Sequence, residues 1–580
     1  MRKRILTVCQ TSLTAMILFM LISACAVEPT LETLPPDPTP LVTTLGIPPT
    51  ATPAPTPTAT SQPLTLHLAG GLPSGMVRMD ALGEISLSAD PGADMWFGPA
   101  DATPDGSEVL YTTSWVYGLV APFPTLTDDV PLSDLQAYWL GDPQGALEAV
   151  PTLYVPDTLA LALSQRWGNP DPARVQIGEE PPAVETLWET GAWALFPFEM
   201  LNPQLKVIQI DGRSPLFRDF KPEDDPLAIQ FQLVRRPGAG VIPEDVLLSV
   251  LGAIQPTNRD PDLMTTLVMT GVTALVRGTA YRMEMHGVLY PGEKIRDWLR
   301  EADLTHISNE VSFYEDCPFP DPTSPRLFFC SDPKYIELFE DVGADIIELT
   351  GNHNNDALYV YGVDVVPFTL DLYDAYGMAY FGGGRNLAEA KSPLLITHNG
   401  NKLAFIGCNA FGPDFAWATD DGGGSAPCED YQWMAEEVSR LSAEGYLPIA
   451  TYQYYEDYYD FAAEHHVRDF GLMAEAGAVI VNGSQAHRPK AMTFAHDAFI
   501  DYGLGNLFFD QNWVIDMYGN VIVQTSWEVI QRHTFYDGRH LSTELLTAKL
   551  EDYAQPRPMT TEEREVFLEE LFQASGWISR

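Results

Sequence analysis

The stretch Asp345-Ile-Ile-Glu-Leu-Thr-Gly-Asn-His-Asn-Asn-Asp356 decides how this chain is read. Asp345 to Thr350 reads as a short buried strand that breaks at Gly351. Asn352, His353, Asn354, Asn355 and Asp356 then fall on the turn before the next helix. A strand followed by a glycine turn and polar residues places side chains at the carboxyl end of a sheet, where open α/β folds bind ligands. Gly-Asn-His in that position offers an amide oxygen to a metal and an imidazole to a phosphoryl group or leaving oxygen. The same residues also suit an Asx-rich turn whose side chains cap their own backbone. The tripeptide alone leaves both readings open.

Working outward, 580 residues are too many for one core and imply two or more domains. The formal net charge of −46 argues against a nucleic-acid partner and against docking on anionic lipid. It fits solubility outside the cell. Arg2, Lys3 and Arg4 precede a mostly apolar run from Leu6 to Ile22, which is the pattern of a secretory signal. Ile22-Ser-Ala-Cys25 resembles a bacterial lipobox, which implies lipidation of Cys25 and an extracytoplasmic protein anchored to the cell membrane. Cleavage near Ala24 or an uncleaved anchor are the alternatives. Four cysteines remain in the exported part, and their spacing suggests the disulfides Cys317–Cys330 and Cys408–Cys428. A zinc site built from all four is the rival, but no C-x-x-C pair is present.

Residues 26–64 are dominated by Pro and Thr and read as an extended tether. Residues 65–258 read as a separate α/β module, with strands near 64–69, 107–113, 118–123, 193–198 and 205–210 and helices over 132–140 and 159–167. Trp139, Trp167, Trp188 and Trp193 are read as core. The polar run 259–263 marks a boundary. From 264 to 550 strands and helices alternate regularly, including helices at 293–302, 366–376 and 431–443 and a hairpin around Asn399-Gly400. In a tail at 551–580, Thr560 and Glu563 form a capping box, and the helix after them buries Phe567, Leu568, Leu571 and Phe572.

Polar residues recur after successive strands: Ser308-Asn-Glu310, Asn352-His353, Gln453 to Glu456, and Asn482-Gly-Ser-Gln-Ala-His487. Converging Asn, His, Glu and Gln is how a metal-assisted hydrolase is assembled. The blocks Ala302-Asp-Leu-Thr-His-Ile-Ser-Asn-Glu310, Leu349 to Asp356, Tyr380-Phe-Gly-Gly-Gly-Arg-Asn-Leu-Ala-Glu-Ala390, Asn399 to Cys408, Val481 to His487 and Tyr502-Gly-Leu-Gly-Asn-Leu-Phe-Phe-Asp510 carry a resemblance. In that order, residues 265–510 resemble the CapA family, the poly-γ-glutamate capsule biosynthesis proteins. The resemblance implies a calcineurin-like metallophosphoesterase sandwich, its β-sheets flanked by helices. More weakly, Leu119 to Pro143 resembles periplasmic solute-binding proteins.

The resemblance implies that Glu310, Asn352 and His487 ligate a metal, with Gln453 and Gln485 as neutral donors where the family has histidines. His353, beside Asn352, takes the catalytic role. Val272 stands where the family has a ligating Asp, and no other acid is placed in the site. The expected cofactor is one divalent ion (Mn, Fe or Zn), or none. Two functions follow. One is a CapA-like surface lipoprotein in capsule or polymer synthesis or anchoring, hydrolysing a phosphoester or acting on a surface polymer. The other is a catalytically degenerate lipoprotein whose N-terminal module binds a solute or partner.

Overall fold

The computed structural model describes residues 64–83, 85–516 and 518–579. The signal segment, Cys25 and the tether up to residue 63 lie outside them. Among the described residues no helix is long and apolar enough to cross a membrane.

The first part holds two sheets. One has five strands in the order Ser86–Leu87, Thr65–Leu68, Met95–Pro99, Ile229–Arg235, Glu108–Trp115. The other has six, in the order Asp129–Val130, Leu205–Ile210, Tyr117–Pro122, Trp193–Pro197, Leu153–Pro156, Val175–Gly178. The helices Leu132–Trp139 and Asp157–Trp167 form where apolar residues recur at helical spacing, and they bury Leu135, Trp139, Leu159 and Leu163. Trp139 and Trp193 are buried, Trp167 packs edge-on against Trp139, and Trp188 Nε1 donates to the Gln204 carbonyl. These rings are core, as their setting in sequence suggests.

The second part is a mixed α/β assembly. A nine-stranded sheet runs Ala379–Phe381, Ile346–Glu348, Leu304–Asn309, Met264–Met269, Trp527–Tyr536, Arg539–Glu551, Gln555–Pro558, with Val272–Thr273 and Asn506–Phe508 off its edge. Its first four strands are parallel and its last three antiparallel. A six-stranded sheet runs Leu394–His398, Asn401–Asn409, Leu447–Gln453, Ile480–Asn482, Ala498–Asp501, Met492–Ala495. Leu267, Leu304 and Ile346 of the first sheet meet Ile396, Phe405 and Ile449 of the second in one core. Helices cover the other faces, with Val366–Tyr376 against the first sheet and Gln432–Ala443 and Glu464–Glu475 against the second. Strands buried on both faces read as apolar runs, which is why this region was legible. Both disulfides form as expected.

Two expectations need correction. The helix over 293–302 shrinks to Arg296–Arg300 behind a 3-10 turn at Tyr290–Gly292. There Gly292 packs so tightly on Val342 that a Cβ would lie 2.8 Å from its Cγ1. The tail at 551–580 is not purely helical. Its first residue ends the strand Arg539–Glu551, and Gln555–Pro558 adds another strand before the capped helix Thr561–Ala574. At the expected boundary near 259, Asn258 and Arg259 are buried. Asn258 pairs both ways with the Val116 backbone, and Arg259 donates to the carbonyls of Pro215 and Phe217.

Candidate metal centre

The centre is assembled where several strands end. Leu304–Asn309 delivers Glu310, Ile346–Glu348 delivers Asn352 and His353, and Leu447–Gln453 is followed by Glu456. Ile480–Asn482 is followed by Gln485 and His487. Gly351 makes the first junction possible, since a Cβ there would lie 2.6 Å from Glu310 Cα. Only glycine lets these two turns approach so closely.

Glu310 is 1% exposed, and neither carboxylate oxygen has a hydrogen-bond partner among the described residues. Burial pushes its carboxyl above the usual range, against the pull of His487 and His353. His487 Nε2 lies 3.9 Å from Glu310 Oε1 and 3.7 Å from Glu456 Oε1. Ligating atoms of the three residues all fall within 4.8 Å of one another. Burial lowers the His487 imidazole, but Glu456 and Glu310 outweigh it and push it up to about 9. Burial also raises Glu456, yet His487, with His353 and Asn352, holds it down to about 2.

The surrounding contacts orient these ligands. Asn506 donates its amide to the carbonyls of His487 and Thr525, so its Oδ1 faces His487 Nδ1 at 2.9 Å. That fixes the proton on Nδ1 and turns Nε2 towards the two carboxylates. Asn352 Nδ2 donates to Glu456 Oε1 at 2.8 Å, while its Oδ1 has no partner among the described residues. His353 Nδ1 sits 2.7 Å from Asp356 Oδ2, which also accepts from Phe329 N. Burial lowers the His353 imidazole, but Asp356 and Glu310 raise it above its ordinary value.

Gln453 and Gln485 are buried at the same strand ends. Their amide nitrogens donate to the Tyr454 carbonyl and to Ser308 Oγ, and their amide oxygens lack partners among the described residues. Val272 is buried and apolar, paired with Ser308 and Asn506. The turn reading fits Asn354, which donates to the nearby Leu349 carbonyl, whereas Asn355 reaches the distant Gly423 carbonyl.

One acid that the sequence alone does not place, Glu456, lies in the cluster. It follows the expected strand by three residues, inside an irregular loop, and only the fold brings it to Asn352 and His487. Its signal in sequence was the acid ending the post-strand set Gln453 to Glu456. The donor set suits a divalent cation, because carboxylate and imidazole groups converge and the oxygens of Glu310 and Asn352 Oδ1 lack hydrogen-bond partners among the described residues.

Fold and site together define a class: an α/β domain carrying a candidate metal centre at its strand ends. Within that class, residues 266–511 match the family of the bacterial capsule synthesis protein PGA_cap. The match to that family is confined to this segment. The chain is similar to the "Capsule biosynthesis protein CapA" of Bacillus anthracis, at 21% identity over 266 residues, 45% of this chain and 64% of that one. It is also similar to the "PGA biosynthesis protein CapA" of Bacillus subtilis (strain 168), at 24% identity over 180 residues, 31% of this chain and 46% of that one. The matches thus span about half to two thirds of those relatives. Among solved structures, a putative 5′-nucleotidase of Staphylococcus aureus aligns over 53% of this chain and 58% of its own, with TM-score 0.30 and 10% identity. A putative phosphate ABC transporter substrate-binding protein of Clostridium perfringens aligns over 33% of this chain and 91% of its own, with TM-score 0.24 and 11% identity. Overlays this loose bear on neither fold nor function.

Proposed function

We propose that residues 264–550 act as a CapA-like domain at the cell envelope, in the synthesis or anchoring of a capsule or extracellular polymer of the poly-γ-glutamate type. In this reading the Glu310 centre carries metal-dependent phosphoesterase-type hydrolysis on a calcineurin-like sandwich. The substrate is a surface polymer or a small phosphoester. Lipidation of Cys25 ties the protein to the membrane, so Cys25→Ala protein would leave the membrane fraction for the medium.

The observation that supports the reading is Glu310. A buried carboxylate with neither oxygen bonded costs several kcal/mol unless something pairs with it. One divalent cation, Mn, Fe or Zn, would be held by Glu310, Glu456, His487 Nε2 and Asn352 Oδ1, with Gln453 and Gln485 as neutral oxygen donors. Bound there, it supplies Lewis acidity to a phosphoryl oxygen. The chain does the rest. Asn506 sets the His487 tautomer. Asn352 steadies Glu456 through its amide nitrogen. Asp356 holds His353 by Nδ1 and, with Glu310, raises its imidazole above the ordinary value, which suits it to donate a proton to the leaving oxygen.

The test uses the full chain: count bound Mn, Fe and Zn, and assay a generic phosphodiester with and without His353→Ala. Bound metal and His353-dependent turnover are expected. Absence of both overturns the enzymatic reading. Val272, apolar where the family resemblance places a ligating Asp, favours a second reading, a degenerate binding lipoprotein. A thermal-shift screen of sugars, amino acids and anions without accompanying turnover would support that one.

A further inference from the structure

A second group of metal-ligating side chains spans the loop that carries Glu456 and the helix after it. Asp457, His465 and His466 each bring one ligating atom within 4.8 Å of the others. The chain explains the meeting. The strand Leu447–Gln453 ends, the loop 454–463 turns back, and the helix Glu464–Glu475 begins with both histidines in its first turn. His466 is 1% exposed, and its Nδ1 has no hydrogen-bond partner among the described residues. Its Nε2 faces Asp457 Oδ2 at 3.8 Å, beyond hydrogen-bond reach. A buried imidazole left this way forfeits bonds that water would have supplied.

The neighbours hold these groups in place. The rings of His465 and His466 lie 4.5 Å apart, and Tyr454 stacks on His465 at 5.6 Å. Tyr454 is itself tied to Asp469 through its hydroxyl. Lys490 is buried, donates to Asp457 Oδ1 and to the Tyr459 carbonyl, and leaves Asp457 Oδ2 for the histidine side.

That lysine decides the kind of ion. It offsets the carboxylate charge, so hard cations held by oxygen and charge find little here. Imidazole affinity remains, and it favours zinc-type ions. Two imidazoles, one carboxylate and an open fourth position make a three-ligand zinc set. The 3.8 Å separation is close to the edge of about 3.3 Å that a tetrahedron with 2.0–2.1 Å bonds requires.

We propose that Asp457, His465 and His466 form a second metal site of zinc type, distinct from the Glu310 centre. Glu456 and Asp457 are consecutive, so an ion here also fixes the loop that presents Glu456 to the first centre. The rival is a buried Lys490–Asp457 ion pair with the histidines as packing.

The full chain is stripped with chelator, loaded with Zn²⁺ alone, desalted and counted for metal. Co²⁺ loading is followed in parallel by visible absorbance. In the variant Glu310→Gln/His487→Asn the first centre is gone, and roughly one zinc per chain and a tetrahedral cobalt spectrum are expected to remain. Adding His465→Asn/His466→Asn should remove both signals. If the fourfold variant melts abnormally, His465→Asn alone, at a half-buried position, is expected to weaken zinc binding by more than about tenfold. The proposal is overturned if the first-centre variant binds no zinc, or if the histidine variants keep it. Neither result depends on whether the Glu310 centre binds metal.

Discussion

Asn506 sits behind the candidate centre and touches no ligand-facing atom, yet the orientation of His487 depends on it. Asn506→Ala is expected to lower metal affinity about 10- to 100-fold, read by competition with a chromophoric chelator. Unchanged affinity would mean that the imidazole finds its tautomer without this contact. At this scale Glu310 directly follows its strand, and Asn352 and His353 lie on the turn after theirs, which is the local pattern that singles them out in sequence. His487 could be placed because its block ends a strand-turn pattern. Glu456 ends the polar set after its strand, but that pattern alone gives it no role, because the loop beyond it is rich in acids and tyrosines and only the fold brings it to His487. The division of labour within 352–356 was also hidden. Asn352 and His353 face the centre while Asn354 and Asn355 bond backbone, and only the tertiary partners separate the two sets.

The hairpin of Trp527–Tyr536 and Arg539–Glu551 turns at Asp537 and Gly538, both with positive φ, as a two-residue turn requires. Its Asp-Gly turn is a hairpin signal, but its strands mix His, Thr and Glu with apolar residues and alternate poorly, which hides the pairing in sequence. Helix 366–376 and the Asn399-Gly400 hairpin, with clean periodicity, came out as expected. One residue of the first hairpin makes a prediction. Glu528 is fully buried, its oxygens lack partners among the described residues, and burial pushes its carboxyl well above the ordinary range. The unfolded chain therefore ionises first. The stability this group contributes is full below its unfolded pKa of about 4.3 and is lost as pH rises towards the folded value. Against Glu528→Gln, the wild-type protein should lose about 1.4 kcal/mol of relative stability per pH unit over that window. Melting temperatures of both proteins from pH 4 to 8 test this, and parallel curves would show that Glu528 is solvated.

For the whole molecule, length implies more than one core but says nothing of how the parts meet. At the polar boundary, Asn258 and Arg259 spend their polar groups on backbone partners that composition cannot reveal. The C-terminal helix strengthens the joint. Arg564 bonds both oxygens of Asp128 at 2.7 and 2.8 Å, and Phe572 and Trp577 close over Phe123 from the first part. Phe123 also meets Phe494 and Phe499 of the six-stranded sheet, at 5.3 and 5.6 Å between ring centroids. Apolar interfaces of this kind bind neighbouring units into one cooperative body, whereas polar ones leave them to unfold separately. Phe123→Ala removes the ring at the centre of this contact and should cost on the order of 3–5 kcal/mol. Because the loss falls between the two parts rather than inside either, calorimetry should show more than a lower melting temperature. The wild-type protein is expected to unfold in one transition, and the variant in two, the first belonging to residues 64–258. A single transition merely shifted downward would place the coupling instead in the buried joint at Asn258 and Arg259, and a profile identical to wild type would remove Phe123 from the interface energetics altogether.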